Sequence, residues 1–309
     1  MLITDLRIVF LGTPDFAVAS LDALVKAGCN IVGVVTAPDK PAGRGMKLTE
    51  SAVKKYAVEH QLTILQPEKL RNEDFLTTLR SLKADMQVVV AFRMLPELVW
   101  NMPPMGTVNV HGSLLPQYRG AAPINWTIIN GEKTTGVTTF KLQHQIDTGD
   151  ILLQTSIEIG ESETAGELHD KMMHIGATTL VETIKGLLAE TVIPKQQGSF
   201  SIIKHAPKLF TETCTINWNN KARHIFNLIR GLSPYPTAFT FVNDKKLKIF
   251  KAEMEVEAHQ VPIGKPFTDH KTYLKYSCVD GFIHLTNVQL EGKKQMPIVE
   301  FLRGFRLID

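Results

Sequence analysis

Between residues 7 and 111, apolar runs alternate with amphipathic ones, and no other feature of the chain narrows its fold as much. Residues 7–12 read as a buried strand ending at a turn. Pro14 then opens a helix whose apolar Phe16, Ala19, Leu21 and Leu24 fall at near-helical spacing. Residues 31–36 form a second short apolar run, 51–60 and 74–83 read as helices, and 62–66, 86–91 and 107–111 as strands. A parallel strand can be reached only by a crossover, and a helix is the usual crossover. The pattern therefore predicts an α/β fold: a Rossmann-like, mostly parallel sheet with helices on both faces. In such a fold the ligand crevice lies at the carboxyl ends of the strands.

After Pro123 the pattern changes. A helix over 125–130 closes at Gly131, strands follow at 137–143 and 151–159, and Thr164-x-x-Glu167 is a capping box opening a long helix to about residue 188. Residues 194–201, with Gln-Gln-Gly-Ser at their heart, read as a linker or surface arm. The domain boundary is placed near 205, giving a first domain over 1–205 (linker about 191–207) and a second over 206–309. The second has one helix over 219–230 and then short β-type segments between turns, which suggests a small barrel of the OB-like kind.

Length and charge support two domains of unequal character. The 309 residues suit two domains, and 44% hydrophobic with 21% charged residues is the balance of a globular protein. Residues 1–205 carry 19 Lys+Arg against 21 Asp+Glu, and residues 206–309 carry 15 against 10. A basic second domain on a near-neutral first one suits an anionic partner such as nucleic acid, or a lysine-rich solvated surface. The longest apolar run, 86–92, is too short to span a bilayer, and the first ten residues read as neither a secretory signal nor a transit peptide. Cys29, Cys214 and Cys278 form no close pair, so reduced thiols in a cytoplasmic setting are expected.

The chemistry concentrates in Asn109-Val110-His111-Gly112-Ser113-Leu114-Leu115-Pro116 and in Ile146-Asp147-Thr148-Gly149-Asp150. Asn109 and His111 are two apart on one strand, so both side chains leave the same face. The amide is a fit donor for an oxyanion. The imidazole can donate to the same oxygen or take a proton from an attacking amine. Asp147, in a Gly-bounded loop, can orient and charge the imidazole. Three such groups suit acyl transfer without a covalent enzyme intermediate and without a metal. Ser113 lacks a Gly-x-Ser-x-Gly elbow, and no Gly-x-Gly-x-x-Gly or P-loop follows the first strand. His169 and His174 are five apart, the wrong spacing for a shared zinc face, and are expected to face solvent. Residues 37–47 carry two prolines, two glycines and three cations, Lys40, Arg44 and Lys47. They read either as an exposed linker or as a basic arm near the site. Residues 231–237, Gly-Leu-Ser-Pro-Tyr-Pro-Thr, read as an architectural turn.

These strings resemble those of the methionyl-tRNA formyltransferase family nearly end to end. The match rests on Gly-Thr-Pro-Asp-Phe at 12–16, Pro-Ala-Gly-Arg-Gly at 41–45 and the 109–116 string. Tyr-Arg-Gly-Ala-Ala-Pro-Ile at 118–124, Asp-Thr-Gly-Asp at 147–150 and Pro-Tyr-Pro at 234–236 extend it. The 109–150 block is shared with other enzymes that use 10-formyltetrahydrofolate; the 41–45 loop and the added C-terminal domain narrow the choice. The resemblance implies transfer of a formyl group from 10-formyltetrahydrofolate to the α-amine of methionine on initiator tRNA, by a monomer with no membrane association. It puts Asn109, His111 and Asp147 in the catalytic places and Ser113, Leu114, Leu115, Pro116 and Phe92 beside the folate. Arg44, flanked by Lys40 and Lys47, takes the place of the loop that engages the tRNA. An OB-like C-terminal domain would grip the tRNA backbone. One stretch departs from the family's Val-Val-Ala-Tyr-Gly-x-Ile-Leu-Pro: Val89-Val90-Ala91-Phe92-Arg93-Met94-Leu95-Pro96 is one residue shorter, with Phe for Tyr and Arg for Gly. Arg93 there reaches either a folate carboxylate or solvent. Rival readings are a formyltransferase of a small amine, a hydrolase of the same folate, and a non-enzymatic RNA-binding protein.

Overall fold

Every strand residue of the segment 86–90, Met-Gln-Val-Val-Val, is buried, and the sheet is built outward from it. The computed structural model describes residues 2–42, 47–198 and 201–307. In chain order the elements begin β1 (Arg7–Gly12), α1 (Asp15–Lys26), β2 (Asn30–Val35), β3 (Lys40–Ala42), β4 (Lys47–Thr49), α2 (Ala52–Glu59), β5 (Ile64–Leu65) and α3 (Glu73–Ser81). Then come β6 (Met86–Val90), α4 (Glu97–Trp100), β7 (Thr107–His111), β8 (Arg119–Gly120), α5 (Pro123–Ile129), β9 (Thr134–Lys141), β10 (Ile151–Glu158) and α6 (Ala165–Leu188). The last are β11 (His205–Ala206), α7 (Thr211–Cys214), α8 (Ala222–Leu232), β12 (Ala238–Val242), β13 (Lys245–Val256), β14 (Pro266–Thr268), β15 (Leu274–Cys278), β16 (Gly281–Leu290), β17 (Met296–Pro297) and α9 (Ile298–Arg303). They fall into two compact units, one of residues 1–119, 136–157 and 169–204, the other of 120–135, 158–168 and 205–309.

The first unit holds a seven-stranded sheet in the order β10-β9-β7-β6-β1-β2-β5. The pairs β1–β2, β1–β6, β6–β7 and β2–β5 are parallel, and β9 joins β7 antiparallel. This is the mostly parallel sheet that the strand–helix alternation predicts. Val9 and Leu11 of β1, Val35 of β2 and Val89 of β6 share one buried cluster with Phe75, Leu76 and Leu79 of α3. On the opposite face α6 comes so close that a Cβ at Gly176 would stand 3.2 Å from Val110. Helices α2, α3 and α6 start at side-chain caps. Ser51 Oγ accepts from Lys54 N at 3.0 Å and Asn72 Oδ1 from Phe75 N at 3.1 Å. The capping box of α6 forms in both directions, with Thr164 N donating to Glu167 Oε2 at 2.8 Å and Glu167 N to Thr164 Oγ1 at 3.3 Å.

The second unit curls a six-stranded antiparallel sheet, ordered β12-β13-β16-β15-β14 with β17 on β16, into a half-barrel. The ladder between β13 and β16 shifts register on both sides of Lys251. Such shifts bend and twist a strand. Ile225, Ile229 and Leu232 of α8 close its core against Leu247, Ile249, Leu274, Ile283 and Val288. Trp218 stacks on Tyr276 with ring centroids 4.5 Å apart.

Three local expectations change. The stretch 37–47 is more than a linker: β3 and β4 pair antiparallel, Lys40 opposite Thr49 and Ala42 opposite Lys47. The segment 194–201 begins with an ordered bridge, since Ile151 N donates to Lys195 O at 2.8 Å and Lys195 N to Ile151 O at 2.9 Å. His169 is half-buried and its ring packs 5.2 Å from that of Phe16, where solvent was expected. The helix over 219–230 forms as α8, Ala222–Leu232. Among the described residues no helix is long and apolar enough to cross a membrane. The three thiols are free and buried, and burial pushes the Cys29 thiol up to about 11.

Candidate active site

Alternation along β7 sends Val108 and Val110 to the face packed by α6 and leaves Asn109 and His111 on the other. Register then places Asn109 between Val89 of β6 and Phe140 of β9, so it extends the buried row that includes Leu11. It is the one half-buried residue of a strand otherwise buried, and no described side-chain partner occupies its amide. Strand β6 ends its pairing at Val90, opposite Val110, so His111 stands one residue past its parallel neighbour at the carboxyl rim. There Ala91 adopts a left-handed φ of +47° and turns the chain aside.

The loop after His111 is folded back by polar groups. Thr138, opposite His111 on β9, donates through Oγ1 to Ser113 O at 2.6 Å and accepts from Leu115 N at 3.1 Å. Gln154 Nε2 adds donations to Thr138 Oγ1 at 3.0 Å and Leu115 O at 2.9 Å. Ser113 Oγ donates to Gln117 O at 2.6 Å. Removing any of these partners would leave a buried backbone group unpaired, at about 1–3 kcal/mol each. The result is a tight turn that carries Tyr118 O to 2.9 Å from His111 Nε2. A carbonyl oxygen only accepts, so Nε2 carries the proton and Nδ1 is the ring position left for chemistry.

Asp147 meets that position. Its Oδ2 lies 3.8 Å from His111 Nδ1, with the two side chains 15% and 8% exposed. The separation allows charge attraction and is too long for a direct hydrogen bond. The loop of Asp147 is pinched at its neck, where Lys141 N donates to Asp150 O at 3.0 Å. Asp147 itself takes a left-handed φ of +54°, which aspartate tolerates better than most residues. A Cβ at Gly149 would lie 1.6 Å from Lys141 O, so only glycine fits the neck.

The sequence-predicted residues are thus sorted by geometry. Asn109, His111 and Asp147 share the rim of the sheet. Ser113, Leu115 and Pro116 are buried, Leu114 and Phe92 half-buried, and Phe92 packs on the sheet cluster. Arg93 is exposed, one of its two expected courses, and there it donates to Glu68 O at 2.7 Å and to Pro67 O, with its guanidinium 5.7 Å from the Phe92 ring. Lys40 is exposed on β3, next to Asp39, which is anchored by Gln66 Nε2 at 2.8 Å and by Lys54 Nζ. The Lys54 hydrogen bond, aided by Gln66, holds the Asp39 carboxyl below its usual range. Arg44 lies outside the described residues, as does the side chain of Lys47.

Sequence reasoning missed the supports. Gln197 Nε2 donates to Asp147 O at 2.9 Å and to Gly149 O at 2.8 Å, and its Oε1 accepts from Arg119 Nε at 3.1 Å. Arg119 lies in the quoted string at 118–124, which drew attention to it without giving it a role. Gln197 lies in the segment read as a linker.

Residues 6–184 match the formyl transferase family and residues 208–306 match the formyl transferase C-terminal domain. The methionyl-tRNA formyltransferase of Bacteroides thetaiotaomicron is 52% identical over 313 aligned positions, covering 99% of this chain and 97% of that protein. Among solved structures, the N-formyltransferase of Helicobacter canadensis, in complex with folinic acid and dTDP-3-aminofucose, is similar with a TM-score of 0.67 and 21% identity. It covers 91% of this chain and 98% of its own. HypX of Aquifex aeolicus in complex with tetrahydrofolic acid has a TM-score of 0.65 at 17% identity, over 98% of this chain and 50% of its own.

The neck of the Asp147 loop gives a direct test. Gly149→Ala forces a methyl against the Lys141 carbonyl, and overpacking of this kind costs about 1–3 kcal/mol. A lower urea midpoint at unchanged slope is expected. An unmoved midpoint would show that the neck opens freely.

Proposed function

The chain belongs to the methionyl-tRNA formyltransferase family, and from that membership we infer that it moves a formyl group from 10-formyltetrahydrofolate to the α-amine of methionine on initiator tRNA. It does so in the cytoplasm, as a monomer, to supply translation initiation. The observation that carries the site assignment is the meeting of the His111 Nδ1 and Asp147 carboxylate on the strand face from which the Asn109 amide also projects, with no side-chain partner among the described residues.

The residues divide the work as follows. The neutral methionyl amine adds to the formyl carbon, and the carbonyl oxygen takes negative charge. Asn109 donates to that oxygen, as an oxyanion-hole amide does. The imidazole, its Nε2 proton held by Tyr118 O, uses Nδ1 for both remaining tasks. Neutral, it accepts a proton from the attacking nitrogen; protonated, it donates to the oxyanion. Asp147 stabilises that cation through charge and keeps the ring aligned. The bond from the formyl carbon to the folate nitrogen then breaks, that nitrogen takes a proton, and formylmethionine is left on the tRNA. Proton count and electron count balance with no acyl-enzyme.

For the donor, the buried Ser113, Leu115 and Pro116 set the backbone of the rim, while half-buried Leu114 and Phe92 present apolar surface to the folate. For the acceptor, Lys40, Arg44 and Lys47 of the basic loop engage the tRNA end. The domain over 206–309, with 15 Lys+Arg against 10 Asp+Glu, holds the tRNA backbone.

Two outcomes are expected. Asn109→Ala and His111→Ala each lower turnover with charged initiator tRNA by on the order of 10²–10³ while the folate still binds; near-normal turnover in either removes it from the catalytic set. Arg44→Ala raises the KM for charged tRNA with folate binding retained. Unaltered use of tRNA, with a nucleotide amino sugar serving equally well, would contradict the acceptor assignment.

A further inference from the structure

The segment 194–198 does something that its composition hides. The backbone bridge between Ile151 and Lys195 fixes it beside the start of β10, immediately after the Asp147 loop. From there Gln197 turns its amide into the loop. Both of its N–H groups are used, one on Asp147 O at 2.9 Å and one on Gly149 O at 2.8 Å. Its own oxygen is used as well, by the guanidinium fork of Arg119, with Nε at 3.1 Å and Nη2 at 2.5 Å. A cation on the amide oxygen draws charge from the nitrogen and strengthens the two donations.

Two carbonyls separated only by Thr148 converge on one nitrogen, so the chain is curled about Gln197. That curl contains the left-handed Asp147 and the neck at Gly149. The side chain of Asp147 leaves this fixed backbone toward Nδ1 of His111, 3.8 Å away. The loop's own hydrogen bond from Thr148 Oγ1 to Gln145 O, at 3.0 Å, is directed to a different carbonyl.

We propose that Gln197, backed by Arg119, is a positioning residue that sets the Asp147 carboxylate against His111 Nδ1. It touches neither substrate and acts through Asp147 alone. The proposal rests on the catalytic reading of Asn109, His111 and Asp147 above. It predicts that the tail end of the transferase unit, a segment distant in sequence, governs the chemical step.

The test is a double-mutant cycle with single-turnover formylation of charged initiator tRNA. Gln197→Glu keeps size, keeps the Arg119 contact as an ion pair and replaces both donors by acceptors. It is expected to slow transfer on the order of 10²-fold, the effect of misplacing a catalytic group by about an ångström. The KM values for both substrates stay near wild type. Gln197→Ala slows it comparably, and the Glu variant replaces it in the cycle if the Ala variant does not fold. In an Asp147→Asn background the same change at 197 has no further effect, because its route of action is already gone. Transfer by Gln197→Glu at the wild-type rate overturns the proposal, as does a full further loss in the Asp147→Asn background. A crystal structure of the Gln197→Glu protein reads the clamp without turnover: the Asp147–His111 gap opens beyond 3.8 Å if the proposal holds and keeps that value if it does not. Wild-type protein that fails to formylate charged tRNA, with an opened gap in the variant, would sink the reaction assignment and leave the clamp standing.

Discussion

The hydrogen bond from His111 Nε2 to the Tyr118 carbonyl is the interaction on which the site depends. It spends one ring nitrogen on the protein's own backbone, and so decides which nitrogen can do chemistry. It requires the turn at 113–118 to close on itself, which explains why the buried hydroxyls of Thr138 and Ser113 and the amide of Gln154 crowd that turn. In the Ser-His-Asp arrangement the carboxylate and the substrate sit on opposite ring nitrogens. In the proposed mechanism the carboxylate approaches the nitrogen that also serves the reacting group, so Asp147 has to stand close without capturing the ring. The 3.8 Å separation fits that demand.

The fold supplies the rest by register. One buried row across the sheet runs Leu11, Val89, Asn109 and Phe140, so a single polar residue sits where its neighbours are apolar. Such a replacement forfeits burial energy and leaves an amide short of partners. A polar substrate atom is the natural compensation. His111 gains access because β6 stops one residue short of it, as strands do at the crevice of an open α/β sheet. The site is therefore made by strand ends of unequal length, with its loops pinned from behind.

Much of this was legible in the chain. Alternation on a valine-rich strand put Asn109 and His111 on one face, and Asp-Thr-Gly marked a tight loop for Asp147. The capping box at Thr164 and Glu167 marked the start of the long helix to within a residue. What was hidden depends on contacts distant in sequence or on backbone atoms. Gln197 meets the Asp147 loop across fifty positions, and a glutamine in a short polar stretch between Pro194 and Gly198 carries no periodic signal. Tyr118 acts through its carbonyl, to which side-chain chemistry gives no clue. The hairpin of β3 and β4 has strands of three residues, too short for a two-residue period to show. Arg93 was undecidable because its partners are carbonyls of a loop twenty-five positions earlier.

The account's centre is the placement of a formyl carbonyl between the Asn109 amide and the Nδ1 edge of His111. The most direct measurement is a crystal structure with a formyl-bearing folate analogue that cannot transfer its group. The formyl oxygen is predicted to lie about 2.7–3.1 Å from Asn109 Nδ2, with the formyl carbon on the Nδ1 side of the ring. A well-ordered analogue whose formyl group lies away from both side chains, with Asn109 and His111 facing only solvent, would contradict it.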